Sequence, residues 1–405
     1  MRSFGKPVRL SLAFLSVALT ARSASAQYKV GDDVVVIRSA EIALDGKVLE
    51  TLGRGMVLRV EAVEGDRLWA SNRAAGWIDQ QQVKTPRFAV DEFSEQIAEN
   101  PNDRGAYGSR GLALVSLGEI DRAIEDFDAE LRLDPEDASA LGNRARCWMQ
   151  KTEFDKAISD YSEAIRIDPN EATSFAGRGM VWTYKGEYDK AIADMTEALR
   201  LFPRFDYALS WRGVARTGKG EFESAIADFT EALQINPKSK EHRLHRGWCR
   251  LKKGDARPSL ADFDEVLNLD AKNVYALCGR GHAWEQLGEY RLALADFTEA
   301  LRLSPESADS NNSLAWLRAT CPDDELRDGK QAVALATKAC EASGWKSWGI
   351  LDTLAAACAE TGDFEAAAKW ERKALELVDE NEKAAFQARL ALYEAGKPYR
   401  EVERK

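Results

Sequence analysis

A period of 34 residues governs most of this chain. Pro101, Pro135, Pro169, Pro203, Pro237 and Pro305 fall on one 34-residue grid, with Ala271 in its vacant slot. Gly118, Gly186, Gly220, Gly254 and Gly288 share the step, as do Ala123, Ala157, Ala191, Ala225 and Ala293. The clearest copy, Val274 to Ser307, reads as two helical patterns separated by Gly288-Glu289. One such unit cannot bury its own apolar face, so neighbouring copies must stack. Six copies start at Arg104, Ala138, Ala172, Asp206, Lys240 and Val274. In each, position 8 is small (Gly111, Ala145, Gly179, Gly213, Gly247, Gly281) and position 24 is large (Phe127, Tyr161, Met195, Phe229, Phe263, Phe297). A missing side chain at position 8 lets two helices approach, and the bulk at position 24 fills the crossing.

A 34-residue unit of two helices, with small, aromatic, glycine and proline positions all in phase, resembles the tetratricopeptide repeat family. The resemblance implies an α-solenoid of helical hairpins whose concave groove takes protein or peptide segments. In the family, positions 2, 5, 6, 9, 12 and 13 of the first helix line that groove. Carried onto this chain, they give Asn143, Arg146, Met180, Tyr184, Tyr207, Trp211, His245, Trp248, Tyr275 and His282 as candidate partner-binding residues. Aromatic and amphipathic side chains suit this role because they bury large areas at low entropic cost. The family's carboxylate clamp of Lys, Asn and Arg at positions 5, 6 and 9 is not matched. The second repeat offers Gly142, Asn143 and Arg146, so cytosolic chaperone tails are not expected ligands.

An arginine and an aspartate sixteen residues apart recur in all six repeats: Arg110/Asp126, Arg144/Asp160, Arg178/Asp194, Arg212/Asp228, Arg246/Asp262 and Arg280/Asp296. Both members lie equally far from the hairpin turn, so antiparallel helices bring them abreast. Such a pair contributes little net stability, but loss of one partner is costly, and its expected role is to fix hairpin register. With an aspartate for each arginine, a phosphate-gripping arginine row is not expected.

The first 26 residues carry Arg2, Lys6, Arg9 and Arg22 and no acid, an apolar run from Leu10 to Leu19, and Ala24-Ser25-Ala26. That order fits an export signal with a cleavage site before Gln27, and the run is short for a membrane span; the alternative is an uncleaved anchor, through which alone a membrane contact is expected. The remainder holds 52 basic against 67 acidic residues, a formal charge of −15. An acidic body argues against general nucleic-acid binding. The mature protein is therefore expected in the bacterial periplasm or at the cell envelope.

From Tyr28 to Val83 the pattern alternates with period two, with strands expected at Val34–Arg38, Lys47–Thr51, Met56–Ala62, Arg67–Ser71 and Ala75–Asp79. Five short strands broken by glycines predict a small closed barrel. The stretch KVLETLGRGMVLRVEAVEGDRLWAS followed by Gly76-Trp77-Ile78 resembles the bacterial Src homology 3-like domain. The family's N-x-R-x-G stretch is missing, and Val36-Ile37-Arg38-Ser39-Ala40 stands in its place. The resemblance implies contacts with cell-wall peptides or other proteins. Trp69 and Trp77 are expected in the barrel core and its closure.

The resulting order is a signal peptide over 1–26, a β-barrel over 27–86 ending in a polar linker, a capping helix over 87–103 and six repeats over 104–307. Two divergent hairpins over 308–380 and a capping helix with tail over 381–405 complete it. The fold class is mainly α, a solenoid of hairpins behind a small all-β barrel. Six cysteines in an exported chain raise the question of disulfides, but Cys147 and Cys249 lie three repeats apart and the others within helical patterns or beside a loop. Buried free thiols are expected. His242, His245 and His282 do not converge with enough ligands for zinc, and no phosphate loop, nucleophile elbow or paired-histidine motif occurs. No cofactor, metal or enzymatic activity is expected. The sequence reads as an exported interaction scaffold gripping a partner segment in its groove. The alternative is a wall-associated protein whose barrel binds peptidoglycan while the repeats act as spacer.

Overall fold

A computed structural model describes residues 28–44, 47–64, 66–71, 75–379 and 382–402. The expected signal segment lies outside these residues. The chain divides into two compact units, residues up to Thr152 and residues from Glu153 onward.

The first unit opens with seven strands: β1 (Asp33–Val36), β2 (Ala40–Leu44), β3 (Lys47–Leu52), β4 (Val57–Glu64), β5 (Arg67–Ser71), β6 (Ala75–Asp79) and β7 (Val83–Lys84). They form one antiparallel sheet in the order β3-β2-β6-β5-β4-β1-β7. Among the described residues β3 and β7 are its two edges, so the sheet is open, not the closed barrel expected. β2 and β7 are additional to the five expected strands. The stretch expected as a linker forms a 3-10 turn, Gln80–Gln82, and then β7. The sheet's own core holds Tyr28, Val34, Val36, Ile42, Leu52, Leu68 and Ile78. Tyr28 donates from its hydroxyl to the Val83 carbonyl at 2.9 Å.

Trp69 and Trp77 face the other way. Leu68, Ala70, Gly76 and Ile78 take the inward positions of β5 and β6, which leaves both indoles half-exposed on the outer face. There they pair across the strands edge-to-face at 5.3 Å, and the Arg67 guanidinium lies 5.1 Å from the Trp77 ring. The expectation of a core role fails because side chains alternate in a strand and smaller residues filled the inner face.

Helices α1 (Pro86–Glu99), α2 (Arg104–Ser116), α3 (Ile120–Leu133) and α4 (Ala138–Gln150) complete this unit. Alternation along β1 explains why sheet and helices are inseparable. Val34 and Val36 point into the sheet core, while Val35 and Ile37 join Ala89, Phe93, Ala113, Leu114 and Phe127. Arg54 adds a polar tie, donating to Asp103 at 2.9 Å and to Gln96 at 3.1 Å. Its hydrogen bond holds the Asp103 carboxyl below the usual aspartate range. Asp103 also caps α2 by accepting from the Ala106 amide.

The second unit is a stack of helical hairpins: α5 (Phe154–Ile167), α6 (Ala172–Tyr184), α7 (Tyr188–Leu201), α8 (Asp206–Gly218), α9 (Phe222–Ile235), α10 (Lys240–Lys253), α11 (Ala256–Leu269), α12 (Val274–Gln286), α13 (Tyr290–Leu303), α14 (Ala308–Thr320), α15 (Gly329–Ala342), α16 (Trp348–Glu360), α17 (Phe364–Leu377) and α18 (Lys383–Glu394). The 34-residue step survives at each first helix from α6 through α14, because the same caps and turns recur. Ser239, Asn273 and Ser307 accept the N-terminal amides of α10, α12 and α14. Gly186, Gly220, Gly254 and Gly288 turn each hairpin with φ between 75° and 95°. In the first unit Thr152 stands in the corresponding place and adopts φ 58°, a conformation that disfavours a β-branched residue.

Packing follows from the small-large alternation. Phe263 is fully buried, and a Cβ added at Gly247 of its own hairpin would lie 2.8 Å from the ring. One added at Gly279 of the next hairpin would lie 2.4 Å from it. A single aromatic therefore seals both the hairpin and its junction with the next. The register pairs also form. Arg178, Arg212, Arg246 and Arg280 meet Asp194, Asp228, Asp262 and Asp296 at 2.6–2.8 Å, as Arg110 meets Asp126 in the first unit. Each arginine has a further partner sixteen residues before it. Nη1 of Arg178, Arg246 and Arg280 donates to Ser162, Thr230 and Asp264 at 3.0, 3.2 and 2.7 Å. Arg144 makes the equivalent bond to Asp128 at 2.6 Å within the first unit. The arginine row is thus consumed in joining hairpins.

At the far end, α18 closes the stack over a buried polar group. Arg389 donates to Asp352 at 2.7 Å and lies 3.5 Å from Glu371, which is wholly buried. Two carboxyls share one guanidinium in an apolar surround. Burial, with the Asp352 charge beside it, pushes the Glu371 carboxyl up to about 9.

Candidate functional site

The first helices of the second unit present side chains from positions 2, 5, 6, 9, 12 and 13 on a common surface containing three adjoining recesses. The largest, about 620 Å³, is bordered by Tyr184, Trp211, Val214, Thr217, His245, Trp248 and Lys252, with Tyr188 from α7. A second, about 380 Å³, lies among Trp248, Tyr275, Cys278, His282, Asn312 and Ser313. The third, about 320 Å³, is formed by Trp248, Leu251, Lys252, His282, Glu285, Gln286, Trp316 and Glu401. Trp248 borders all three.

The lining is an aromatic chain with few charges. Tyr184 stacks on Phe154 at 5.9 Å and leans on Trp211 at 5.4 Å, and Trp211 meets Tyr207 at 6.2 Å. His245 lies parallel to Phe229 at 5.4 Å. Protein atoms around this imidazole replace bulk water and hold its pKa below the ordinary histidine value, with Glu241 opposing and His242 assisting. His282 packs against Phe297 at 4.9 Å and is oriented from both nitrogens, by Glu285 at 2.9 Å and Ser313 at 3.1 Å.

Six of the ten sequence-derived candidates, Tyr184, Trp211, His245, Trp248, Tyr275 and His282, border these recesses. Tyr207 and Met180 sit beside them, with the Tyr207 hydroxyl 2.7 Å from the Met180 sulfur. Asn143 and Arg146 lie on α4 in the other compact unit. Sequence reasoning missed Thr217, Lys252, Gln286 and Trp316. All four occupy position 9, 12 or 13, so the periodicity that selected Trp248 also marks them. Tyr188 and Glu401 carry no such mark.

Chemically the surface suits binding. All six thiols are buried and free, and burial pushes Cys278 up to about 11, so it is a neutral thiol. Among the described residues no cluster of three or more His, Cys, Asp or Glu side chains is placed to hold a metal ion. His242 is buried, 3.7 Å from Asp206, and apart from the recesses.

A stack of 34-residue helical hairpins with a recessed aromatic face defines a class of repeat protein. Tetratricopeptide repeat models match residues 109–172, 184–240 and 274–307. The chain carries tetratricopeptide repeats, and proteins built from them generally mediate protein–protein interactions. No curated protein matches the chain. Among solved structures, the Cut9–Hcn1 hetero-tetramer of APC/C is similar at 18% identity and a TM-score of 0.52, covering 66% of this chain and 52% of that one. A tetratricopeptide repeat protein from Parabacteroides merdae is similar at 20% identity and a TM-score of 0.47, over 76% of this chain and 99% of its own. PilF of Pseudomonas aeruginosa shares 20% identity with a TM-score of 0.46, over 51% and 94% respectively.

Proposed function

We propose that this is an exported, non-enzymatic scaffold that grips an extended or helical segment of a partner protein on the recessed face of its second unit. The observation that carries the reading is the continuous aromatic lining from Tyr184 to Trp316, in which Tyr184 and Tyr275 remain 56% and 67% exposed. Exposed aromatics held by a rigid stack are preorganised to bury partner surface with little rearrangement. Export rests on the basic-apolar-small order of the first 26 residues.

Trp248 is a poor probe of this face because it also packs against Phe263 at 5.7 Å. Photo-crosslinking residues introduced in cells at Tyr184 and Tyr275 avoid that problem. They should trap one discrete partner, whereas Glu197 and Arg200 on the outer face of α7 should not. Equal trapping at both faces, or none at Tyr184 and Tyr275, refutes the groove.

The outward Trp69–Trp77 pair favours a second reading, in which the β-sheet contacts peptidoglycan. Co-sedimentation of the full chain with purified cell wall should then fall in the Trp69→Ala/Trp77→Ala variant.

A further inference from the structure

The recessed face is already partly occupied by the chain itself. After α18 ends at Glu394, Gly396 turns the backbone at φ 67° and Lys397–Val402 runs back, without regular structure, to α14. The Glu401 amide donates to the Thr320 carbonyl at 3.0 Å, and the Trp316 indole N–H donates to the Glu401 carboxylate at 3.0 Å. Tyr399 packs on Trp316 at 5.9 Å, and Arg389 of α18 lies over both rings. Arg400 pairs with Glu360. Tyr399, Arg400 and Glu401 are half-buried, whereas Val402 beyond them is 81% exposed.

These are contacts of a bound peptide: a main-chain bond to the receptor backbone, one aromatic anchor and one acidic side chain on a fixed donor. Glu401 forms part of the third recess, beside Trp248 and Lys252, so the tail borders the same surface that the proposed partner would use. We infer that residues 397–402 are an intramolecular ligand that blocks one end of the groove. The inferred partner carries an extended segment of matching chemistry, with an aromatic residue two places before a carboxylate. This rests on the groove reading above. A short tether gives the tail an effective concentration on the order of millimolar, so individually weak contacts keep it seated, and the partner must displace it.

The probe is a fluorescent peptide of residues 396–405, titrated into the full chain. Tyr399→Ala/Glu401→Ala, which weakens the tail in cis, should bind it at least ~10-fold more tightly than the wild type. Adding Trp316→Phe, which leaves a smaller aromatic ring and removes the N–H, should reverse most of that gain. Glu401→Gln alone, the mildest change, should give a smaller gain. In the unmodified chain the Glu401 amide should exchange more slowly than a free amide and accelerate in Trp316→Phe. Equal peptide affinity in wild type and double variant, or unprotected exchange at Glu401, overturns the inference. So does a wild-type dimer held by exchanged tails. Crosslinking at Tyr184 and Tyr275 that is indifferent to the tail variants leaves the groove standing and removes only its self-occupancy.

Discussion

Glu371 offers a quantitative test of the buried polar group beneath α18. The side chain is fully buried, Asp352 takes the closer contact with Arg389, and the Glu371 carboxyl is pushed up to about 9. At neutral pH it therefore holds its proton in the fold and loses it on unfolding, where a glutamate titrates near about 4.3. The unfolded state binds fewer protons, so this group makes stability fall as pH rises between those two values. The slope is about 1.4 kcal/mol per pH unit for one retained proton. Glu371→Gln keeps the shape, supplies a neutral amide and removes the slope. Between about pH 5.5 and about pH 7.5 the variant should gain about 2.7 kcal/mol on the wild type. Carboxylates away from this group titrate alike in both proteins and cancel; burial also raises Asp352, so the retained proton belongs to the Asp352–Glu371 pair that Glu371→Gln breaks up. Repeat arrays open locally, so the measurement is amide exchange of α17 and α18, corrected for the intrinsic rate at each pH. A difference between the two proteins that is flat across this range refutes a protonated Glu371.

The double role of Phe263 predicts strong coupling. Phe263→Ala should cost about 3–5 kcal/mol and Gly279→Ala about 1–3 kcal/mol, yet in the Phe263→Ala background the added methyl should be nearly neutral. Urea unfolding of the four proteins tests this, and additive losses contradict the shared contact. Thr152→Gly should stabilise the first unit by about 1 kcal/mol, since relief of left-handed strain outweighs the added chain entropy. Lower stability of that variant in urea would show that the turn carries no strain.

The repeat architecture was legible because helix starts and most caps and turns recur in phase, so the six copies corroborate one another even where Phe205 replaces a cap and Thr152 a glycine. Sequence reading was weakest where no period operates. Ala40–Leu44 contains few β-formers and Val83–Lys84 is only two residues long, so neither strand stood out. Trp69 and Trp77 alternate correctly, but apolar residues occupy both faces of β5 and β6, and alternation does not say which face is inside. The arginine partners Ser162, Thr196, Thr230 and Asp264 share one repeat position, but a small polar side chain there carries no sequence signal of a bond to the next hairpin. The Trp316–Glu401 contact spans 85 residues, and no local pattern encodes it.

The arginine ties also bear on how such a chain can grow. Each arginine holds an aspartate of its own hairpin and a side chain sixteen residues earlier, so a hairpin's polar joints are complete once any similar hairpin precedes it. An in-frame duplication of residues 240–273 would reproduce every such joint; the second copy would keep the Phe263–Gly279 seal, and the first would set Phe263 against a His245, as Phe229 already lies against His245 at 5.4 Å. Polar register is therefore indifferent to copy number, and the aromatic junction already takes two forms, a ring on glycine and a ring on imidazole. Gene duplication could therefore lengthen this array through a copy of either kind, one that brings a glycine to the junction or one that brings a flat ring.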